Sequence, residues 1–164
     1  FGLINSHPML LLIAFFVWIA AGQELTMVSM RSALSGIPVQ RAMIRDFRFL
    51  TPDQNLATAA DYLLSGFQED FPVVRDGQIV GMLVRNDLFE RLRQNGESVR
   101  VGDVMRSDYA TAEPLETLTA AMERLHQSEC RSMPVIHRGQ LVGLLTPDNI
   151  GEFLTLRNVM RQQA

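Results

Sequence analysis

Two side chains sit at a spacing that can hold a metal ion. His126 and Cys130 are four residues apart, about one helical turn, with His137 not far on; imidazole and thiolate together form a zinc-type donor set. The three donors are dispersed and no fourth accompanies them. The plainer reading is that Cys130 is a small buried residue near a helix end and that the histidines are partly exposed. Hydrolytic chemistry has no better footing, since the chain contains neither an H-E-x-x-H segment nor a Ser/His/Asp arrangement with a recognisable elbow. Asp87 and Thr146 are of the residue types favoured as helix caps. Glu69, Asp70 and Glu113 are expected in solvent.

The elements that carry these residues occur twice. Val39, Met43, Pro52, Leu56, Ala59, Pro72, Val73, Gly77, Val80 and Gly81 reappear without a gap at Val101, Met105, Pro114, Leu118, Ala121, Pro134, Val135, Gly139, Val142 and Gly143, an offset of 62 positions. Self-similarity at a fixed period marks one supersecondary unit used repeatedly, because one copy cannot bury its own apolar face. Two copies imply a pseudo-symmetric pair with any ligand site at the seam.

Each copy reads as strand, helix, strand, strand, helix. In the first, residues 47–50 form a short strand and Thr51-Pro52-Asp53-Gln54 starts a helix, with Thr51 as cap, Pro52 at its first position and Gln54 closing a capping box. Residues 71–74 and 79–84 are strands joined through Asp76-Gly77, a hairpin signal, and residues 87–93 are a helix that Gly96 can end. In the second, residues 109–112 are the strand and 114–126 the helix. Strands at 133–137 and 141–145 flank Arg138-Gly139, and Thr146-Pro147 opens a final helix to about Arg161.

Composition limits the function classes. Of 164 residues 47% are hydrophobic, and a net charge of −3 offers no basic footprint for nucleic acid. The single cysteine excludes an internal disulfide and suits a reducing compartment. Phe1 is not an initiator residue and no signal peptide is recognisable, so the chain is expected to be a piece of a longer protein. Residues 1–23 carry no Lys, Arg, Asp or Glu. The run PMLLLIAFFVWIAAG is apolar on all sides and would reach about 22 Å as a helix, against a hydrocarbon core of ~30 Å. It reads either as a buried or partner-covered helix or, more sharply, as the last membrane helix of a larger protein. Arg31, Arg41, Arg45 and Arg48 would then place the remainder in the cytoplasm. Residues 24–34 continue as a helical connector, stopped by Gly36 and Pro38.

The recurring "FPVV" and "MPVI", each followed by a turn and then by "IVGMLVRNDL" or "LVGLLTPDNI", resemble the CBS motif, named after cystathionine beta-synthase and found in tandem pairs called Bateman modules. That resemblance implies an α/β (α+β) fold of two pseudo-symmetric βαββα units packed by their sheets, with two clefts that often bind adenine nucleotides. The expected division is an apolar helix over 1–23, a linker over 24–38, a first motif over 39–96 and a second over 97–164. Upstream, "HPMLLLIAFFVWIAAGQE" leading through "MRSALSGIPVQRAMI" is similar to the C-terminal part of site-2-type membrane zinc metalloproteases. Any zinc would belong to a catalytic part that this chain does not contain.

Nucleotide-binding CBS units usually place Thr or Ser three residues after the strand glycine and Asp six after it. A helix N-terminus offers free N–H groups to phosphate, the hydroxyl adds a donor, and the carboxylate can accept from both ribose hydroxyls. Here Gly81 is followed by Val84 and Asp87, and Gly143 by Thr146 and Asn149, so each copy keeps half of the pattern. The resemblance implies that one cleft unites Asp87, Arg85 and Val84 with Met105, Arg131, Met133 and Pro134, where Arg131 approaches phosphate or stacks on the base. The other, poorer cleft unites Thr146 and Asn149 with Met43, Phe71 and Pro72. The expected function is an adenine-nucleotide-sensing module (AMP, ADP or ATP) that modulates a membrane-bound metalloprotease and associates as a homodimer. The rivals are a ligand-free dimerisation module and the CBS tail of a transporter or channel.

Overall fold

The computed structural model describes residues 34–66 and 68–162; the apolar run and most of the connector helix lie outside them. Among the described residues no helix is long and apolar enough to cross a membrane. Residues from Gly36 onward form one compact unit containing both copies. The first copy holds helix α1 (Leu56–Ser65), strands β1 (Phe71–Arg75) and β2 (Gln78–Leu83) and helix α2 (Arg85–Asn95). The second holds α3 (Leu118–Gln127), β3 (Met133–His137), β4 (Gln140–Leu145) and α4 (Pro147–Gln162). Short 3-10 turns at Val39–Arg41 and Val101–Asp103 precede them.

Both hairpins close through two residues in the left-handed region, Asp76 and Gly77 at φ 52° and 80° and Arg138 and Gly139 at 51° and 79°, as a two-residue primed turn demands. Both carry the same irregularity one residue past the centre of the first strand, between Val73 and Val74 and between Val135 and Ile136. The expected strands at 47–50 and 109–112 contract to single parallel bridges, Leu50 to Val73 and Ala112 to Val135.

The first helix of each copy starts later than its sequence suggests. Gln54 does accept the Thr51 N–H at 2.8 Å, but the pair closes a turn, and α1 begins at Leu56 under an Asn55 cap that accepts from the Thr58 N–H. The carbonyls of Pro52 and Gln54 are taken by the N–H groups of Gly102 and Val101. In the second copy Gln40 and Val39 donate to Pro114 and Glu116, and Thr117 caps α3. The segment that leads into each copy is therefore bound to the other copy. It continues past the partner's sheet: Arg106 and Met82 exchange both backbone hydrogen bonds at 2.8–2.9 Å, as do Ile44 and Leu144 at 2.7–2.9 Å.

This exchange explains the glycine in each β2-type strand. A Cβ on Gly81 would lie 2.7 Å from the Met105 sulfur and 3.0 Å from the Arg106 carbonyl, and one on Gly143 would lie 2.7 Å from the Met43 sulfur and 3.0 Å from the Ile44 carbonyl. Two matching cores result. Leu50, Leu56, Ala59, Phe71, Val73, Leu83, Leu88 and Val101 cluster in the first. Their equivalents Ala112, Leu118, Ala121, Met133, Val135, Leu145, Ile150 and Val39 are all buried to 2% exposure or less, so each core needs a valine from the other copy's leading segment.

Candidate functional site

The seam at the start of α2 is organised by a carboxylate that is not exposed. Asp70 was expected in solvent beside Glu69; it is instead 1% exposed. One of its oxygens accepts the Arg85 N–H at 3.1 Å, and the other accepts the N–H groups of Arg131 at 2.8 Å and Ser132 at 3.1 Å. Burial pushes the carboxyl above its ordinary range, against the lowering effect of those three donors. Val84 is the N-cap of α2 and has no hydroxyl to cap with, so Asp70 supplies the acceptor from outside the helix and ties the second copy to it.

The other expected residues of this seam come together around two arginine–carboxylate groups. Glu69 receives Arg85 on one oxygen at 2.9 Å and Arg131 on the other at 3.4 Å, while the Arg85 guanidinium also lies 5.4 Å from the Phe89 ring centre. Asp87 is held by Arg106 through both oxygens, one at 2.9 Å, and Arg106 also pairs with Glu129. Hydrogen bonding to Asp87, then to Glu129, raises the Arg106 pKa, so it stays charged at any ordinary pH. Three carboxylates (Glu69, Asp87, Glu129) thus meet three guanidiniums (Arg85, Arg106, Arg131), while Asp70 meets only backbone N–H groups. Met105 is half-buried over Gly81. Met133 is fully buried in the core and the Pro134 carbonyl accepts from Ala112, so the Met133 side chain presents nothing to the seam.

The second seam is simpler. The Thr146 hydroxyl donates to the Asn149 side-chain carbonyl at 2.8 Å and accepts from the Asn149 N–H at 3.2 Å, a closed capping pair at the start of α4. Met43 lies over Gly143, Phe71 is wholly in the first core, and the Pro72 carbonyl accepts from Leu50. Two of the remaining candidates for chemistry are engaged elsewhere. The His126 ring nitrogen is 2.8 Å from the Met122 carbonyl. Cys130 is buried against Met82 and Val84, and desolvation pushes its thiol pKa up.

Asp70, Glu69, Arg106 and Glu129 are what a single-copy reading misses. For Glu69 and Asp70 the signal lies in the comparison of copies, since they stand 62 positions before Arg131 and Ser132. In the structure these equivalent residues touch each other across the pseudo-symmetry axis.

Two tandem units with exchanged leading segments and a shared seam match a known family. Residues 30–94 and 101–156 correspond to the CBS domain, and the chain belongs to the CBS domain family. Among curated proteins it is 28% identical over 147 residues to "Putative zinc metalloprotease Rip3" of Mycobacterium tuberculosis, covering 87% of this chain and 37% of that protein. It is 29% identical over 83 residues to zinc metalloprotease MJ0392 of Methanocaldococcus jannaschii, covering 51% of this chain and 24% of that one. The chain thus spans little more than a third of Rip3. Among solved structures, the CBS-pair protein CBSX2, determined in complex with AMP, superposes with a TM-score of 0.62 at 23% identity, covering 79% of this chain and 100% of that one. A second structure of CBSX2, from Arabidopsis thaliana, superposes with a TM-score of 0.68 at 22% identity, covering 77% of this chain and 99% of that one.

Proposed function

We propose that this chain is the regulatory CBS pair of a membrane-bound site-2-type zinc metalloprotease and senses an adenine nucleotide in the seam at Asp87. The similarity to Rip3 supports the parent, because that alignment runs over 147 residues, more than the two CBS units occupy. One observation carries the ligand. Arg85 from the first copy and Arg131 from the second converge on a single carboxylate beside the α2 N-terminus, where a ligand phosphate would find two guanidiniums. Asp87 is placed to receive ribose hydroxyls once its pairing with Arg106 loosens. Nucleotide binding would then favour one disposition of the two copies, to the extent that its affinity for the two differs. In this reading residues 1–23 anchor the module in the membrane, residues 24–38 carry the shift to it, the CBS part lies in the cytoplasm, and pairing with a second copy builds the working unit.

Isothermal titration of the 164-residue chain with AMP, ADP and ATP tests the ligand. Binding in the physiological range that Asp87→Ala weakens is expected; no binding of any of the three refutes it. A ligand-free structural module is the second reading, favoured by the closed Thr146–Asn149 pair. Empty seams with intact self-association would select it.

A further inference from the structure

We propose that Glu69 is the internal occupant of the phosphate position of the first seam, and so sets which adenine compounds the seam accepts. The inference rests on the nucleotide reading above and names the residue that opposes it. Each Glu69 oxygen takes a different guanidinium, Arg85 at 2.9 Å and Arg131 at 3.4 Å, as two oxygens of a phosphate would. The arrangement is made to be exchanged. The Glu69, Arg85 and Arg131 side chains are 37%, 43% and 78% exposed, and pairs this wet are individually weak. Arg106, by contrast, is already committed to both Asp87 and Glu129. Asp70 beneath is held by three backbone N–H groups and cannot leave without unfolding the junction. Glu69 is therefore the carboxylate whose departure frees both Arg85 and Arg131 while Asp70 keeps the junction closed.

A phosphate entering the seam must displace that carboxylate, whereas a nucleoside has nothing to place there. Glu69 thus lowers affinity for phosphorylated ligands selectively. The replacement Glu69→Gln keeps the size of the side chain and removes the charge. The experiment is isothermal titration of AMP and of adenosine into the wild-type chain, E69Q and R131Q, with circular dichroism confirming that each variant is folded. The expected result is that E69Q binds AMP about fivefold more tightly, the factor a weak exposed pair corresponds to, with adenosine unchanged. R131Q should weaken AMP and leave adenosine alone. AMP affinity equal to or below wild type in E69Q, with adenosine still bound, overturns the role of Glu69 and leaves the nucleotide reading standing. Equal tightening of AMP and adenosine also overturns it, as general loosening of the seam. If neither compound binds any of the three proteins, the nucleotide reading itself falls.

Discussion

Replacing Asp70 by Ala removes the acceptor of three backbone N–H groups at once. Two of them, on Arg85 and Ser132, belong to residues that are half-buried and buried. The third, on exposed Arg131, can turn to water. A buried donor left without a partner costs about 1–3 kcal/mol, so two such donors set a gross loss of roughly 2–6 kcal/mol. The carboxylate's own burial, which raises its pKa, is relieved in the variant and offsets part of this. The net expectation at neutral pH is a destabilisation of about 2–3 kcal/mol. That corresponds to a fall of roughly 0.7–3 M in the urea midpoint, given a slope of about 1–3 kcal/mol per M.

The pH dependence has a definite sign. Because the folded carboxyl titrates above its ordinary value of 3.8, its contribution is fully present below that value and diminishes as pH rises through the raised one. The wild-type advantage over Asp70→Ala should therefore be larger at pH 4 than at pH 8. Urea unfolding followed by far-UV circular dichroism across that range measures both quantities. A variant within about 0.5 kcal/mol of wild type throughout, the scatter of ordinary surface substitutions, refutes the clamp. An advantage that grows with pH would instead overturn the dominance of burial over the three donors in setting the carboxyl pKa.

Three further outcomes follow from the same geometry. Val84→Thr should recover about 1 kcal/mol in the Asp70→Ala background, the value of an N-cap, because its hydroxyl can reach the Asp87 N–H as Thr146 reaches that of Asn149; no recovery in urea unfolding would show that α2 does not depend on its cap. Gly81→Ala should cost about 1–3 kcal/mol by overpacking against Met105 and the Arg106 carbonyl. Gly151→Ala, in open space within α4, should gain about 0.5–1 kcal/mol, and thermal melts showing the two changes alike would sink the packing argument. Cys130 should react slowly with a thiol-specific disulfide reagent at pH 8 and promptly in urea, since it is buried and its thiol pKa is raised; complete reaction in the native protein within the mixing time would contradict that.

The repeat made most of this fold legible. Alternation and turn chemistry placed both hairpins to within a residue or so, and Gly96, at φ 79°, ends α2 as its position suggested. Where the reading failed, tertiary bonds overrode local preference. Thr51-Pro52 is a good helix start, yet the leading segment of the other copy claims the carbonyls at Pro52 and Gln54 and holds that stretch as a turn. The strands expected at 47–50 and 109–112 shrink to one bridge each. In the seam, the CBS resemblance singled out Asp87 and Thr146, but no pattern within one copy reveals that a remote Asp70 does the capping Val84 cannot. Nor does spacing predict that Phe71 spends its side chain on the core.

The contact of Glu69 with Arg131 bears on how such a molecule arises. Two separate, identical half-chains exchanging their leading segments would form the same architecture as a swapped homodimer. At the axis, however, identical chains must set like against like, Glu facing Glu or Arg facing Arg, and Asp70 would meet a second buried Asp. Opposite charges at 69 and 131 become open to copies fused in one polypeptide and free to diverge, and Ser at 132 spares Asp70 a second carboxylate while its N–H still donates. Fusion thus turned the line of symmetry, where repulsion would have been greatest, into a place where the two halves attract.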